Sequence, residues 1–126
     1  MTFNAASRIA VFLAGLMGAA GVLLAAASAH QPDAARLGSA SSMLLFHAPV
    51  ILAAILLVRQ RVAQPVLGSI AISCCVVGAT LFAGDLVMRQ YADHALFSMA
   101  APTGGTLLIV SWVALALAAA WPRRAD

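Results

Sequence analysis

The chain has 126 residues, of which 63% are hydrophobic and 9% are charged, and its formal net charge is +3. Soluble domains average about 45–50% apolar and about 25% charged residues, so this composition excludes both an ordinary soluble enzyme and a disordered chain. The basic residues are all arginines, and they are spread between apolar runs rather than gathered on one face, which argues against nucleic-acid binding.

Four apolar runs follow one another along the chain, and each is predicted to be a transmembrane helix. They cover approximately residues 8–29, 42–58, 65–88 and 103–121. Each crossing needs about 20 residues, so four spans leave only short loops and tails. Unpaired strands are unstable in lipid and four runs are too few for a closed barrel. The predicted fold is therefore an all-α, polytopic transmembrane four-helix bundle, with residues 1–126 forming one domain.

The first run contains small residues at four-residue spacing, in the rows Ala14, Gly18, Val22 and Gly15, Ala19, Leu23. Such rows allow close contact between helices in lipid, and they favour a retained, packed helix in which Gly18→Leu is disruptive. The segment 27–29 also fits a signal-peptidase site. However, the apolar stretch of about 18 residues exceeds the usual 7–15 of a leader, so cleavage is the less favoured alternative.

Two features inside later runs are interpreted as structural. Pro49 lies within the second run and is expected to kink it, whereas Pro65 suits the first turn of a helix. Cys74 and Cys75 are adjacent in the third run and point about 100° apart, so they are predicted to be small apolar residues rather than a redox or metal pair.

The arginines also predict the orientation of the bundle. The two tails and the second loop together hold Arg8, Arg59, Arg61, Arg123 and Arg124, whereas the first and third loops hold only Arg36 and Arg89. Cytoplasmic loops carry the excess of basic residues. Both termini are therefore predicted to be cytoplasmic, and the loops at 30–42 and 89–101 are predicted to face the opposite, outer side.

This topology brings most of the unusual polar residues to the outer end of the bundle. We expect a polar cluster there, in which His47 faces inward and approaches Asp85 or the start of the fourth helix. The predicted cluster consists of His30, His47, Asp85, Arg89, Thr103, Gly104 and Gly105.

Each member of this cluster has a structural and a functional interpretation. His30 is interpreted as a helix end in the headgroup zone, and His47 either bonds to a neighbouring helix or serves a ligand or a proton. Asp85 and Arg89 have the i, i+4 spacing of an ion pair on one helix face, and Arg89→Ala is expected to be the more damaging substitution. The pair Gly104 and Gly105 either binds an anion at the helix start or permits close packing.

The sequence contains no motif for metal or phosphate chemistry. It has neither H-E-x-x-H nor CxxC nor a phosphate loop, and no serine–histidine–carboxylate order suggests a nucleophile. A haem role for His30 and His47 is disfavoured because His30 is predicted to lie near the surface. We therefore expect no metal, no cofactor, no catalytic residue and no enzymatic activity.

Several short motifs resemble a known family. They are Ser28-Ala29-His30, Phe46-His47, the segment from Leu81 to Leu86, and the segment from Ala101 to Gly105 leading to Ser111-Trp112. In order and spacing they resemble the YgdD-like family over nearly the whole chain, with Ser28 where that family usually has glycine. The resemblance implies a small four-helix protein of the bacterial inner membrane, with a domain of unknown function and no established enzymatic activity.

Together these observations predict a non-catalytic integral inner-membrane protein that acts through helix–helix contacts. Its expected partners are the lipid bilayer and either further copies of itself or the other subunits of a membrane complex. The alternative is a protein that binds or transports a small ligand or ion, with His47, Asp85 and Arg89 forming a site at the start of the fourth helix.

Overall fold

The computed structural model describes residues 4–121, and within them the chain folds into four helices and no strands. These are α1 (Ala5–His30), α2 (Ala35–Arg59), α3 (Pro65–Tyr91) and α4 (Ala100–Ala120). All four are long and apolar enough to cross a membrane, which confirms the predicted all-α fold. Arg123 and Arg124, which contribute to the predicted orientation, lie outside the described residues.

Local chemistry explains several helix ends. The side chain of Asn4 accepts a hydrogen bond from the Ser7 N–H at 2.8 Å, and Gln64 accepts one from the Leu67 N–H at 2.7 Å, so both α1 and α3 have N-caps. Pro65 follows Gln64 as the first residue of α3, where its missing N–H costs nothing. These helices therefore begin at residues that satisfy or remove donors in the first turn.

The helices extend beyond the apolar runs, and the largest difference is at the start of α2. This helix begins at Ala35, not at residue 42, so the loop between α1 and α2 is only residues 31–34. The added turns include polar residues, but Leu37 and Ala40 are fully buried against the bundle. Ser41 donates a hydrogen bond to the Gly21 carbonyl at 2.6 Å, which fastens this part of α2 to α1.

Smaller extensions occur in the other helices. The structure starts α1 at Ala5 and α4 at Ala100, and it ends α3 at Tyr91, each about a turn beyond the limit expected from hydropathy. Helices extend past the apolar core because the headgroup zone accepts polar side chains, and hydropathy alone does not locate their ends.

Successive helices pack as neighbours, with a slighter contact between α1 and α3. The pair α3 and α4 has an especially close approach at Gly78 and Gly104. A Cβ atom added to Gly104 would lie 2.7 Å from the Gly78 carbonyl oxygen and 2.6 Å from the Phe82 backbone nitrogen. Only glycine allows the two backbones to meet this closely, as in other tightly packed membrane helices.

In α1 the closest contact falls on a different glycine from the one the sequence suggests. A Cβ on Gly21 would lie 2.7 Å from the Leu45 side chain, whereas one on Gly18 would meet only the Cβ of Ala48, at 4.0 Å. A Cβ on Gly15 would meet no neighbouring atom within 4 Å. The rotation of α1 therefore puts Gly21 against α2, leaves Gly18 in ordinary contact and turns Gly15 outward.

Candidate functional site

Asp85 is the most completely buried charged residue in the described part of the bundle, with an exposed fraction of 0%. Its Oδ2 accepts a hydrogen bond from Arg89 Nε at 2.8 Å, which forms the i, i+4 ion pair expected from the sequence. Its Oδ1 accepts one from the backbone N–H of Leu96 at 2.9 Å, and the backbone N–H of Ala101 also bonds to this carboxylate. We call these four residues the Asp85 cap.

The Asp85 cap provides the acceptor for one of the first backbone donors of α4, the Ala101 N–H. The N–H of Ala100 donates to the Phe97 carbonyl at 3.1 Å, and that of Thr103 donates to the Met99 carbonyl at 2.9 Å. Between them, Pro102 has no N–H and the N–H of Ala101 is taken by Asp85. The N-terminus of a helix carries partial positive charge, so a carboxylate from α3 both caps α4 and complements its dipole.

Of the two glycines at the start of α4, the buried one, Gly104, allows close helix packing. Gly104 lies directly against the α3 backbone, while a Cβ on Gly105 would be 3.9 Å from the Phe82 ring. Thr103, the third predicted residue of this segment, is exposed. Of the two interpretations, close helix packing explains Gly104 because the backbone of α3 occupies the space beside it.

His47 faces the interior, with an exposed fraction of 6%, but its partner is not Asp85. Its Nδ1 lies 2.7 Å from the Met43 carbonyl oxygen, and its Nε2 lies 3.2 Å from Trp112 Nε1. The two rings meet edge to face, with centroids 6.2 Å apart. A carbonyl only accepts and an indole N–H only donates, so these partners assign the neutral tautomer with the proton on Nδ1.

Two further side chains lie beside His47 and complete what we call the His47 cluster, which consists of His47, Cys75, Ser111 and Trp112. The Cys75 thiol donates to the His47 carbonyl at 3.8 Å, and the Ser111 hydroxyl donates to the Leu108 carbonyl at 2.8 Å. Ser111 also lies within bonding reach of Cys75. The cluster therefore joins α2, α3 and α4 through polar groups inside the bundle.

The predicted single cluster is thus divided between two depths. His47 is twelve residues from the N-terminal end of α2 and Asp85 six residues from the C-terminal end of α3, which are about 18 Å and about 9 Å along the helices. The early start of α2 is the reason, because it adds two turns outside His47. Trp112, which the predicted cluster does not include, is also twelve residues from the N-terminal end of its helix. Trp112 and His47 therefore lie at the same depth in the bundle, and this equal depth is the signal that could have paired them.

The remaining histidines lie apart from both clusters. His30 is exposed at the end of α1, and His94 is exposed in the loop before α4, where its Nδ1 lies 2.9 Å from the Ala95 carbonyl. Over residues 4–121, no group of three or more His, Cys, Asp or Glu side chains is arranged to hold a metal ion. Within the same range, every buried side-chain nitrogen and oxygen has a hydrogen-bond partner.

Three clefts of about 320–660 Å³ indent the described part of the bundle, and neither polar cluster lines any of them. The buried polar groups form hydrogen bonds to one another and to the backbone, and these bonds join the helices. No buried donor or acceptor of these side chains is left without a partner.

Comparison with known protein families gives a match over most of the chain. The family model described as "Protein of unknown function (DUF423)" matches residues 17–105, from the middle of α1 to the first turns of α4. The matched segment includes Asp85, Arg89 and His47 but ends before Trp112. Neither a curated protein nor a solved structure gives a significant match. The chain is a multi-pass membrane protein by its four apolar helices, and it belongs to the DUF423 family of proteins of unknown function.

Proposed function

We propose that this protein is a YgdD-like, non-catalytic protein of the bacterial inner membrane that works through contacts between its helices and those of other chains. It acts as a homo-oligomer or as an accessory subunit of a larger membrane complex. Its partners are the surrounding lipids and either copies of itself or the other subunits of that complex. The four apolar helices support the location in a membrane.

One observation carries this proposal, namely the outward surface of α1 at Gly15 and Ala19. Both residues are exposed, and a Cβ on Gly15 would meet no neighbouring atom within 4 Å. They are four residues apart, which is the small-xxx-small spacing that lets a second helix approach closely in lipid. The bundle itself uses Ala14, Met17 and Gly21 on the other side of α1, so this surface is left for another chain.

The polar clusters favour this proposal over the ligand-binding alternative because their hydrogen-bonding groups already have partners. The Asp85 carboxylate already accepts from one side chain and two backbone amides, and both ring nitrogens of His47 have partners. A ligand at either cluster would first have to break these bonds, and each buried group left unpaired costs about 1–3 kcal/mol.

The distribution of charge supports the proposed orientation, with both termini in the cytoplasm. Among the described residues, the end that carries the termini has Arg8, Arg59 and Arg61, while the opposite end has Arg36 and Arg89 together with the acidic residues 33, 85 and 93. Reporter fusions after residue 126 and in the 60–64 loop should report the cytoplasm, and a fusion at Asp93 the periplasm. A periplasmic C-terminus overturns this orientation.

The contact surface is tested by Gly15→Leu, with Ala53→Leu on α2 as the matched control. Both substitutions add a leucine to an exposed position of a transmembrane helix, but only the first lies on the small-residue surface. Forcing a larger side chain into a packed contact costs about 1–3 kcal/mol, which weakens association about 5- to 150-fold.

The measurement is native mass spectrometry and co-purification of the full chain in mild detergent. We expect Gly15→Leu to lose the oligomer or the co-purifying subunits, while Ala53→Leu and the wild type retain them. The proposal fails if the wild type is monomeric and binds no other subunit in native membranes. It also fails if Gly15→Leu retains every partner.

A further inference from the structure

The bundle has a cleft between α1 and α3 at the end that carries the chain termini, with α2 as its floor. We propose that this cleft binds one anionic phospholipid from the adjacent leaflet, with an acyl chain inside the cleft and the phosphate at its mouth. The cleft has a volume of about 660 Å³. Pockets that hold small molecules measure about 300–1,000 Å³, so the size suits a lipid chain.

Along the membrane normal, the lining of the cleft changes from polar to aliphatic, as a lipid does from its headgroup to its acyl chains. Asn4, Ser7 and Arg59 lie at the helix ends that form the mouth, whereas Leu13 lies about two turns and Val76 about three turns inside. Polar groups thus surround the position of a headgroup, and aliphatic groups surround the position of its hydrocarbon.

The depth of the cleft matches one leaflet. From Asn4 to Leu13 the α1 wall is about 13 Å long, and from Pro65 to Val77 the α3 wall is about 18 Å long, at 1.5 Å per residue. Half of a 30 Å hydrocarbon core is about 15 Å. An acyl chain that enters at the mouth would therefore end near the bilayer centre.

Small side chains keep the cleft open. Ala6 and Ala10 on α1 face Ser69 and Ser73 on α3, and the contact between these two helices is slight. The Ser69 hydroxyl donates to the Pro65 carbonyl at 2.8 Å, so it lies against lipid without an unpaired donor. The α3 wall is therefore compatible with hydrocarbon at Ser69, although this residue is nominally polar.

The charge at the mouth selects an anionic headgroup. Arg59 lines the cleft, Arg8 follows Ser7 of its wall, and Arg61 is two residues beyond Arg59. The N-terminus of α1 adds partial positive charge at the same level. An anionic phosphate gains from this environment more than a zwitterionic headgroup does.

The test uses the full-length, delipidated protein titrated with phosphatidylglycerol or with phosphatidylcholine of the same acyl chains. Native mass spectrometry counts the lipids retained per chain. We expect one phosphatidylglycerol per chain and several-fold weaker retention of phosphatidylcholine. Arg59→Gln should reduce phosphatidylglycerol affinity about fivefold, the usual effect of one basic residue at an anionic surface, with Arg36→Gln at the opposite end as its control.

A second substitution fills the cleft. Ser73→Phe should abolish retention of both lipids, whereas Ile109→Phe, which enlarges an exposed side chain on α4, should not. If Ser73→Phe fails to fold by circular dichroism, Ala6→Phe on the opposite wall replaces it, and the Arg59 comparison stands by itself.

Three outcomes overturn the inference. They are equal retention of the two lipids, unchanged retention when the cleft is filled, and crosslinks that place a second copy or another subunit in the cleft. The inference does not rest on the proposed function, because a chain that has no protein partner would still retain the lipid.

Discussion

Replacing Asp85 with alanine removes the acceptor shared by three donors at the start of α4. The Leu96 and Ala101 N–H groups lose their partner, and the Arg89 guanidinium loses its counter-ion. We expect the loop before α4 and the first turn of α4 to separate from α3, while the remainder of the bundle stays assembled through the His47 cluster and the Gly78–Gly104 contact.

The structure allows an estimate of the cost. Each buried donor left unpaired costs about 1–3 kcal/mol, and Leu96 is 45% exposed, so water replaces part of its lost bond. The side chain of Arg89 is 40% exposed, and ion pairs of exposed side chains contribute only about 0–1 kcal/mol. The free energy of unfolding should therefore fall by about 2–4 kcal/mol.

Arg89→Ala should cost less than Asp85→Ala, which reverses the order expected from the sequence. Without Arg89, the carboxylate keeps both backbone donors and the positive end of α4, so it is not stranded. Asp85→Asn should be intermediate, because the amide oxygen still accepts from Leu96 but its NH₂ group faces the Arg89 guanidinium.

The assay is unfolding of the purified protein by dodecyl sulfate in mixed micelles, followed by circular dichroism, together with hydrogen exchange of residues 96–101. Asp85→Ala should shift the unfolding midpoint downward and speed exchange in that segment. A loss below about 0.5 kcal/mol, the range of ordinary surface substitutions, with unchanged exchange at 96–101 would refute the capping role.

Two other substitutions test the interior contacts by the same unfolding assay. Gly104→Val should lower stability by about 1–3 kcal/mol because the side chain meets the α3 backbone, while Gly15→Ala should cost nothing; equal effects would show that the close contact is absent. His47→Phe leaves the Trp112 N–H without its acceptor and should cost about 1–3 kcal/mol. In a Trp121→Phe background, His47→Phe should change the fluorescence emission spectrum of Trp112. A spectrum identical to that of the Trp121→Phe protein would contradict the hydrogen bond.

The number of helices and their placement in a membrane follow from the sequence alone, because a span needs only about 20 consecutive apolar residues. The Asp85–Arg89 pair is also readable from the sequence, since i, i+4 spacing on one helix determines it. The presence of inward polar residues such as His47 was likewise predictable, because an ionisable group avoids lipid.

Tertiary structure decided which groups those residues meet. Leu96 is eleven residues from Asp85 and Trp112 is sixty-five from His47, so no local pattern relates them. The early start of α2 depends on burial against α1, which hydropathy does not detect. The rotation of α1, which separates Gly21 inside from Gly15 outside, is likewise set by packing. Lipid is as apolar as the side chains, so hydrophobicity determines that a helix inserts, whereas close packing and hydrogen bonds between helices determine how it turns.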